Sequence, residues 1–452
     1  MRVRSYAGRV ALLLTFAVAD PTSVARADAG AVLGESSRAG ALAGAVTARP
    51  GDTSAIYFNP AALDGIDRPT LVIFGHLGAH HQSFARLGEL GSSETTGIGG
   101  WGVSLASPLP GPPWLRRVRL GGALHVPGVE VLRVDVPNRR DVPYSPYYGG
   151  RIQRTSMALS LAVALPFRTS IGAGAILYAN LAVPTRAGFD PALGATDVDE
   201  GVIIEQERAV GVVPSAVLGV RTQPIDELAF GLTWHQGGAA TVTGEFEIRA
   251  GPIVLPGTLD FYQMIAPEEV TFGVAAFPTP ELDLSVDLSW SRWSEFRTIH
   301  GYVPDPAFSD TFSVRAGAEW RAHPFLAVRG GYAFEPSPVP EQTGLDNFVD
   351  ADRHVIGLGV GLDFEQLRRP PFGIDGLPFR IDLALRFHAQ HTQEAVKDLS
   401  ALAMSGDENP GLPGTQIENL GYPGFIARGS FMQLSLTLTI PLGPEVGVGM
   451  DE

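Results

Sequence analysis

The 452-residue chain contains no cysteine, which excludes disulfide bonds, thiolate nucleophiles and cysteine metal sites. Lysine is almost missing as well, because Lys397 is the only one in the sequence. Charged residues make up 18% of the chain, below the roughly 25% of ordinary soluble proteins, and the net charge is −15. Binding to phosphate backbones requires clustered basic residues, so we expect no nucleic-acid partner.

A long hydrophobic run is also missing. Hydrophobic residues form 45% of the chain, yet no stretch supplies the roughly 20 apolar residues that a membrane helix requires. The nearest candidate, residues 155–185, is interrupted by Pro166 and Arg168. The hydrophobic residues must therefore be distributed in shorter or alternating segments.

The first 27 residues have the organisation of a secretory signal peptide. Arginines near the N-terminus precede an apolar stretch at residues 10–19, and Ala25-Arg26-Ala27 has the small-x-small pattern of a cleavage site. We therefore predict an exported protein that is cleaved after residue 27.

Alternation of apolar and polar residues predicts long β-strands. Between residues 282 and 290 every second residue is apolar, and the residues between them are Asp or Ser. Successive side chains of a strand point to opposite faces, so this segment has one apolar and one polar face. Similar segments run for about ten to fourteen residues, whereas strands of globular proteins cluster near about five or six. About ten residues is the span of a tilted strand across an outer membrane.

Fourteen such strands are predicted, an even number as in bacterial single-chain membrane barrels. Short connections, such as residues 166–168 and 279–280, alternate with long segments such as 184–205, 242–266 and 392–429, as periplasmic turns alternate with outer loops. The predicted strands are 68–82, 97–108, 117–131, 152–166, 169–183, 206–222, 225–241, 267–278, 281–297, 311–322, 324–336, 352–364, 378–391 and 430–442.

Aromatic residues at the ends of these strands resemble the interfacial girdles of membrane barrels. They are Trp290, Trp293, Trp320 and Phe387. Together these patterns predict an all-β fold, a 14-stranded antiparallel transmembrane β-barrel.

The segment before the first strand does not alternate. It contains a small-residue stretch at 36–46 that could form a short helix, and Asp52 and Ser54 could cap a second one. Because a barrel of fourteen strands has a wide interior, we predict that this segment is an N-terminal hatch, or plug, in the lumen. The expected organisation is a signal peptide at 1–27, the hatch at 28–66, the barrel at 67–442 and a short acidic C-terminal tail at 443–452.

The most specific motif lies in the predicted hatch. Asn59-Pro60-Ala61 follows a Gly/Ala-rich stretch and directly precedes the first predicted strand. In this setting it resembles the FadL-type outer-membrane transporters of long-chain fatty acids and other hydrophobic compounds. That resemblance implies that these residues belong to a hatch inside a fourteen-stranded barrel.

Further segments resemble the same family in the same order along the chain. One family region is similar to Pro267-Glu268 together with residues 290–296, which end in Trp-Ser-Glu-Phe. Another is similar to residues 328–340, which end in Ser-Pro-Val-Pro. One departure concerns the last strand, which in the family usually ends in a C-terminal aromatic residue but here ends near Leu442 and precedes an acidic tail.

The third predicted strand contains residues that break β-ladders, namely Gly121, Gly122, Pro127 and Gly128. The family resemblance implies that a kink in this strand opens the barrel wall and releases substrate sideways into the membrane. The alternative is a strand that simply ends at Val126.

Apolar residues in the long segment 242–266 suggest a docking groove for a hydrophobic ligand, because such residues would be a liability on a soluble loop. They are Leu255, Leu259, Phe261 and Tyr262.

Catalytic and cofactor sites are not expected. Residues 97–102 match a dinucleotide-binding pattern but precede a strand, so no helix N-terminus could hold a phosphate. His80 and His81 are adjacent and face opposite sides of a strand, so we expect no metal site there. Ser, His and Asp are too scattered to suggest a triad, and we expect no enzyme activity.

The resemblance and the fold together predict a protein of the bacterial outer membrane that takes up hydrophobic small molecules passively through a hatch-gated barrel. Fatty acids, alkanes and aromatic hydrocarbons are the candidate ligands. The expected partners are outer-membrane lipids, lipopolysaccharide and the outer-membrane assembly machinery, and the protein is expected to be a monomer without cofactors. The alternative is a polar-solute porin or a structural or adhesive barrel.

Overall fold

The structure is a computed structural model of the chain. It describes residues 36–88, 91–128, 143–145, 155–181, 187–189, 202–204, 210–250, 253–298, 301–344, 346–366, 378–398 and 423–443. The predicted signal peptide and almost all of the predicted acidic tail lie outside the described residues.

The described residues contain nineteen strands. They are β1 Thr70–Arg86, β2 Ser92–Pro108, β3 Val118–Pro127, β4 Ser156–Leu165, β5 Thr169–Leu181, β6 Ala187–Phe189, β7 Val202–Ile204, β8 Val210–Ile225, β9 Leu228–His235, β10 Gly238–Ala250, β11 Ile253–Ala266, β12 Glu268–Thr279, β13 Leu282–Arg292, β14 Thr311–His323, β15 Leu326–Glu335, β16 Arg353–Asp363, β17 Arg380–Gln390, β18 Gln393–Val396 and β19 Gly424–Pro441.

Fourteen of these strands form a closed antiparallel barrel, which confirms the predicted fold. They follow one another around the wall as β1–β5, β8, β9, β12–β17 and β19. The barrel closes because β19 pairs with β1 along its whole length, from Thr70 opposite Pro441 to Arg86 opposite Phe425. Closure gives each of the fourteen wall strands a neighbour on both sides, as a strand structure in hydrocarbon requires. No helix in the described part of the chain is long and apolar enough to span a bilayer.

The two faces of the wall follow the alternation of the sequence. On β13, Asp283 and Asp287 are buried in the lumen, whereas the outward Val286 is 51% exposed. The same contrast holds along the other barrel strands, where the exposed side chains are mainly Leu, Val, Ile and aromatic residues. An apolar exterior around a polar interior is the reverse of a soluble protein, and it fits a wall that faces lipid.

The two ends of the barrel differ. At one end, which we call the short-turn end, tight turns join β4 to β5, β8 to β9, β12 to β13 and β14 to β15. The turn between β4 and β5 places Phe167 and Arg168 at φ 61° and 52°. The opposite end, which we call the long-loop end, carries most of the longer connections. This alternation was predicted from the spacing of the strands.

The long segment 242–266 was predicted as a loop, and this prediction is wrong. It forms most of a hairpin of β10 and β11, which continues from the long-loop ends of β9 and β12 and belongs to a second sheet with β6 and β7. Leu255, Leu259, Phe261 and Tyr262 are therefore strand residues. The alternation of Val, Phe and Ile with Thr, Glu and Arg along β10 gives the reason, because it continues the strand pattern beyond the membrane-spanning length.

Aromatic residues cover part of the long-loop end. Trp293, Phe296, Phe308 and Phe348 form a buried cluster in which the rings of Phe296 and Phe308 stack at 4.2 Å. The predicted place of Trp293 in an interfacial girdle is wrong, because a 3-10 turn at Trp293–Glu295 ends the strand and this ring is only 5% exposed.

The single lysine holds two connections of this end together. The Nζ atom of Lys397 donates to the carbonyl oxygen of Asp346 at 2.7 Å and lies 5.4 Å from the centre of the Phe425 ring. Burial lowers the pKa of Lys397 to about 8, against the opposing attraction of Asp346.

This pKa makes the stability of the long-loop end dependent on pH. An unfolded lysine has a pKa of about 10.4, so above about pH 8 the unfolded state holds more protons than the folded state. Stability should therefore rise between about pH 8 and pH 10. Local opening can be followed by tryptophan fluorescence in urea at each pH. Lys397→Met should remove this rise, and an equal rise in that variant would contradict the assignment.

Candidate functional site

The lumen holds the N-terminal segment that precedes β1. We call residues 36–66 the hatch segment. It contains two short helices, α1 (Ser37–Ala41) and α2 (Ala55–Phe58), followed by a 3-10 turn at Pro60–Gly65. The Ser36 side chain accepts a hydrogen bond from the Ala39 amide and so caps α1, and the Asp52 side chain accepts from the Ser54 amide before α2. The boundaries predicted for the hatch domain stay a prediction.

The hatch segment contacts much of the barrel wall. Leu42, Ile56 and Leu63 are at most 1% exposed, and α1 packs against β15, β16, β17 and β19 while α2 packs against β3 and β4. Each full burial of such an aliphatic side chain contributes about 1.5–3 kcal/mol. The segment is therefore held in place by packing as well as by polar contacts.

Asn59 is the polar centre of this segment. Its side chain is 0% exposed and makes three hydrogen bonds: Nδ2 donates to the carbonyl oxygens of Thr47 at 2.7 Å and Val220 at 3.3 Å, and Oδ1 accepts from the amide of Ala61 at 3.1 Å. It joins two parts of the hatch segment to β8. Pro60 occupies the first position of the 3-10 turn, where the missing N–H costs no hydrogen bond.

Glycines of the wall allow the hatch backbone to lie directly on the strands. A Cβ atom on Gly172 of β5 would lie 2.5 Å from the carbonyl carbon of Pro60, and one on Gly219 of β8 would overlap the side-chain oxygen of Asn59. No larger residue fits there without displacing Asn59-Pro60-Ala61.

A network of buried charges ties α1 to the wall. Glu319 lies 2.8 Å from Arg38 of α1 and 2.6 Å from Arg329 of β15. Arg329 in turn lies 2.6 Å from Asp382 of β17, and Arg49 of the hatch segment lies 2.9 Å from Asp283 of β13. The network therefore joins wall strands to one another and the hatch segment to the wall.

A second anchor lies beside this network. One carboxylate oxygen of Asp287 accepts from the amides of Val46 and Thr47, each at 3.0 Å. The Ser285 hydroxyl donates to the carbonyl oxygen of Ala45 at 2.7 Å, and the Arg221 guanidinium donates to that of Ala48 at 2.9 Å. The backbone of the hatch segment thus finds partners on the wall where it lacks helical partners.

A cavity lies between the hatch segment and the long-loop end. The space within its lining is about 970 Å³ when the open solvent at its mouth is counted with it. Tyr57 and Phe58 of α2 form part of its floor, with their rings in an edge-to-face arrangement at 5.1 Å. Its wall combines polar side chains, among them Thr271, Ser313 and Arg315, with apolar ones such as Ala266 and Trp293. The sequence did not identify this site, although the alternation places Ser and Thr on the inward faces of β12 to β14.

The third strand was predicted to be kinked. Its pairing runs without a register shift through Gly121 and Gly122 on both sides, and a Cβ atom on Gly121 would meet the Ile56 side chain of the hatch at 2.5 Å. Pairing with β4 ends at His125, while Pro127 still pairs with β2. Gly128 donates to the carbonyl oxygen of Gly99 at 2.7 Å. A lateral opening stays a prediction, and its place would be beyond His125.

The role predicted for four further residues, as a docking site for a hydrophobic ligand, stays a prediction. Leu255, Leu259, Phe261 and Tyr262 lie on β11, where their partners on β10 are Ile248, Gly244, Val242 and Thr241. Within the described ranges, no group of three His, Asp or Glu side chains is arranged to hold a metal ion.

A closed barrel of fourteen strands with an apolar exterior and an N-terminal segment in its lumen defines an outer-membrane channel protein. Comparison with known families agrees. The model of the family described as outer membrane protein transport protein (OMPP1/FadL/TodX) matches residues 145–371. This chain belongs to that family, which confirms the resemblance found in the sequence.

Solved structures show the same fold. A Pseudomonas aeruginosa FadL homologue superposes with a TM-score of 0.61 at 16% identity, covering 93% of this chain and 99% of that chain. The Pseudomonas putida toluene transporter TodX superposes with a TM-score of 0.54 at 13% identity, covering 91% and 99%. At these identities the likeness concerns the fold alone.

A curated relative matches over a shorter region. The alkane uptake protein A of Marinobacter nauticus is 33% identical over 102 residues, which is 22% of this chain and 21% of that protein. The match thus spans about a fifth of the relative's length.

Proposed function

We propose that this protein is a passive channel that takes up hydrophobic small molecules across the outer membrane. The observation that carries the proposal is the cavity between the hatch segment and the long-loop end, with the aromatic side chains of Tyr57 and Phe58 on its floor. A compound captured at the long-loop end would rest in this cavity and pass the hatch after small movements of the segment. Membership in the outer membrane transport family and the partial similarity to an alkane uptake protein support this direction.

The proposal includes no bond chemistry and no energy source, so movement follows the concentration gradient. The candidate cargoes are fatty acids, alkanes and aromatic hydrocarbons. We propose in addition that the chain works as a monomer, that it contacts lipopolysaccharide and outer-membrane lipids, and that it reaches the membrane through the assembly machinery. The β10–β11 hairpin is the proposed docking region, and Leu259→Ser with Phe261→Ser should reduce uptake if it captures cargo.

A polar-solute porin is the alternative. A porin needs an open aqueous lumen, whereas here the hatch segment packs against strands on opposite sides of the barrel, from β3 and β4 to β16 and β17. That packing favours a gated channel for single molecules over a permanent pore.

The test is uptake of labelled oleate and labelled toluene by cells that lack their own transporter and express this chain. Uptake of at least one compound above the empty-vector level is expected, and it should saturate with concentration. Heat-modifiable gel mobility shows in parallel that the barrel is folded. Folded protein with no uptake of either compound, but with free passage of a small sugar, would favour the porin instead.

In this assay, Asn59→Ala should impair uptake while the barrel stays folded. The substitution removes three hydrogen bonds at a fully buried position and leaves the carbonyl oxygen of Thr47 without its 2.7 Å donor. We expect a loss of about 2–4 kcal/mol of hatch stability, measured by proteolysis of the segment. Asp67→Ala, at a side chain 58% exposed just after the hatch segment, is the control. Normal uptake by Asn59→Ala would show that uptake does not depend on the hydrogen bonds of Asn59 in the hatch segment.

A further inference from the structure

Three neighbouring strands carry a grid of six polar side chains, and five of them line the cavity. In one row Glu269 of β12 lies opposite Ser291 of β13, which lies opposite Thr311 of β14. In the next row Thr271, Ser289 and Ser313 lie opposite one another in the same order. Adjacent strands are about 4.8 Å apart, so the grid is about 10 Å wide.

Part of the grid is internally satisfied. The Glu269 carboxylate accepts from the hydroxyls of Thr271 and Ser291, each at 3.1 Å. The hydroxyls of Thr271 and Ser289 lie 2.7 Å apart, and Ser289 also accepts from Arg315 at 2.5 Å. These bonds fix the side chains from β12 and β13, which are the first two columns of the grid.

The third column, formed by side chains of β14, has hydrogen-bonding groups without partners among the described residues. Within the described part of the chain, the hydroxyls of Thr311 and Ser313 have no hydrogen-bond partner, and Glu269 has no ion-pair partner, although all three side chains line the cavity. A hydrocarbon in this cavity would cover these groups without bonding them, which costs about 1–3 kcal/mol for each buried group. A cargo with its own hydroxyl would avoid that cost.

The charges of the cavity disfavour an anion. Arg353 lies 3.0 Å from Glu335 and 2.8 Å from Asp350, and Arg315 lies 3.7 Å from Glu335. The two cations are therefore already compensated, whereas Glu269 adds a negative charge. A carboxylate cargo would meet repulsion from Glu269. A charged amine could pair with Glu269 only after losing its hydration, which costs several kcal/mol per ion.

The floor of the cavity suits the apolar part of a cargo that carries a hydroxyl group. The rings of Tyr57 and Phe58 line the same cavity as the hydroxyl-bearing side chains of β12, β13 and β14. The cavity thus offers both aromatic surface and hydroxyl groups to a cargo.

From these contacts we infer that the cavity selects neutral hydrophobic compounds that carry a hydroxyl group, namely alcohols and phenols, over hydrocarbons and carboxylates. The cargo hydroxyl donates to Glu269 and accepts from Thr311 or Ser313, while its apolar body lies on Tyr57 and Phe58. This inference rests on the proposed uptake function and specifies its substrate class.

The test uses compounds with the same chain length: decane, 1-decanol, decanoate and decylamine. Their binding to the full-length protein in nanodiscs is measured by retention of radiolabel, with empty nanodiscs as the blank. The wild-type protein should bind decanol more tightly than the other three. Thr311→Val combined with Ser313→Ala should lower the decanol-to-decane affinity ratio about 2- to 10-fold, the range of one or two neutral hydrogen bonds.

Two further variants make the result specific. Glu269→Gln removes the charge but keeps the shape, and it should increase decanoate binding relative to decanol. Thr169→Val removes a threonine hydroxyl at the short-turn end, and it should leave the preference for decanol as it is.

The outcomes separate the inference from the function on which it rests. Equal affinity for all four compounds, or tighter binding of decane or decanoate, overturns the inference while uptake in cells upholds the channel. Absence of both binding and cellular uptake by folded protein removes the proposed function as well. A preference for decanol that survives in the Thr311→Val, Ser313→Ala variant also overturns the inference, because the preference would then arise elsewhere.

Discussion

Gly172→Val is expected to displace the hatch segment and leave the channel open. A Cβ atom at this position would lie 2.5 Å from the carbonyl carbon of Pro60 and would also overlap the Ala61 amide, both backbone groups. These groups cannot withdraw without breaking the hydrogen bond from Ala61 to Asn59. Overpacking of this kind typically costs about 1–3 kcal/mol and occasionally more, and here it acts on backbone groups of the hatch segment. The expected readouts are a higher single-channel conductance in planar bilayers and greater sensitivity of cells to large antibiotics.

Gly330→Val is the matched control. A Cβ atom on Gly330 of β15 would meet nothing within 4 Å, so the new side chain should fit without contact to the hatch segment. Its conductance should equal that of the wild-type protein. If Gly172→Val and Gly330→Val give the same conductance and the same antibiotic sensitivity, the hatch segment does not control the opening of the channel.

The barrel could be predicted because its determinants are local. A strand that separates lipid from a polar lumen must alternate, as Asp283 and Val286 illustrate, and the pattern repeats in every wall strand. The prediction of a loop at residues 242–266 failed because alternating strands can extend beyond the membrane-spanning part of the wall. The pattern of β10 and β11 continues well beyond the wall, so length suggested a loop while the residues formed a hairpin.

The site was less accessible to prediction, since its contacts join residues that are distant in the sequence. Asn59 was identified by its motif, but its partner Val220 lies 161 positions away and is an ordinary strand residue. The cavity depends on register in the same way. Inward placement of Ser291 and Thr311 follows from alternation, yet only the pairing of β13 with β14 puts them opposite each other. A single sequence does not determine that register.

Glu319→Ala is expected to loosen α1 from the wall more than any other single loss of charge there. This carboxylate is 3% exposed and lies between Arg38 and Arg329, with Arg49 also 3.5 Å away. After its removal, Arg49 still pairs with Asp283 and Arg329 with Asp382, but the pair with Arg38 is lost. Breaking a buried pair by removing one partner costs about 3–5 kcal/mol. Protease cleavage within the hatch segment and hydrogen exchange of its amides should both accelerate, while the heat-modifiable mobility of the barrel is kept.

Glu365→Ala is the comparison that isolates burial from charge. Glu365 pairs with Arg68 at 2.8 Å, but its side chain is 36% exposed, so solvent screens the interaction and its loss should cost at most about 1 kcal/mol. Both variants remove one glutamate near the short-turn end, but Glu319 lies among several arginines whereas Glu365 pairs with Arg68. If only Glu319→Ala accelerates hydrogen exchange in the hatch segment, the difference follows from the burial of the charge network around Glu319. Equal acceleration in the two variants would mean that α1 is held mainly by apolar packing around Leu42, and the buried charges would then serve the wall rather than the hatch segment.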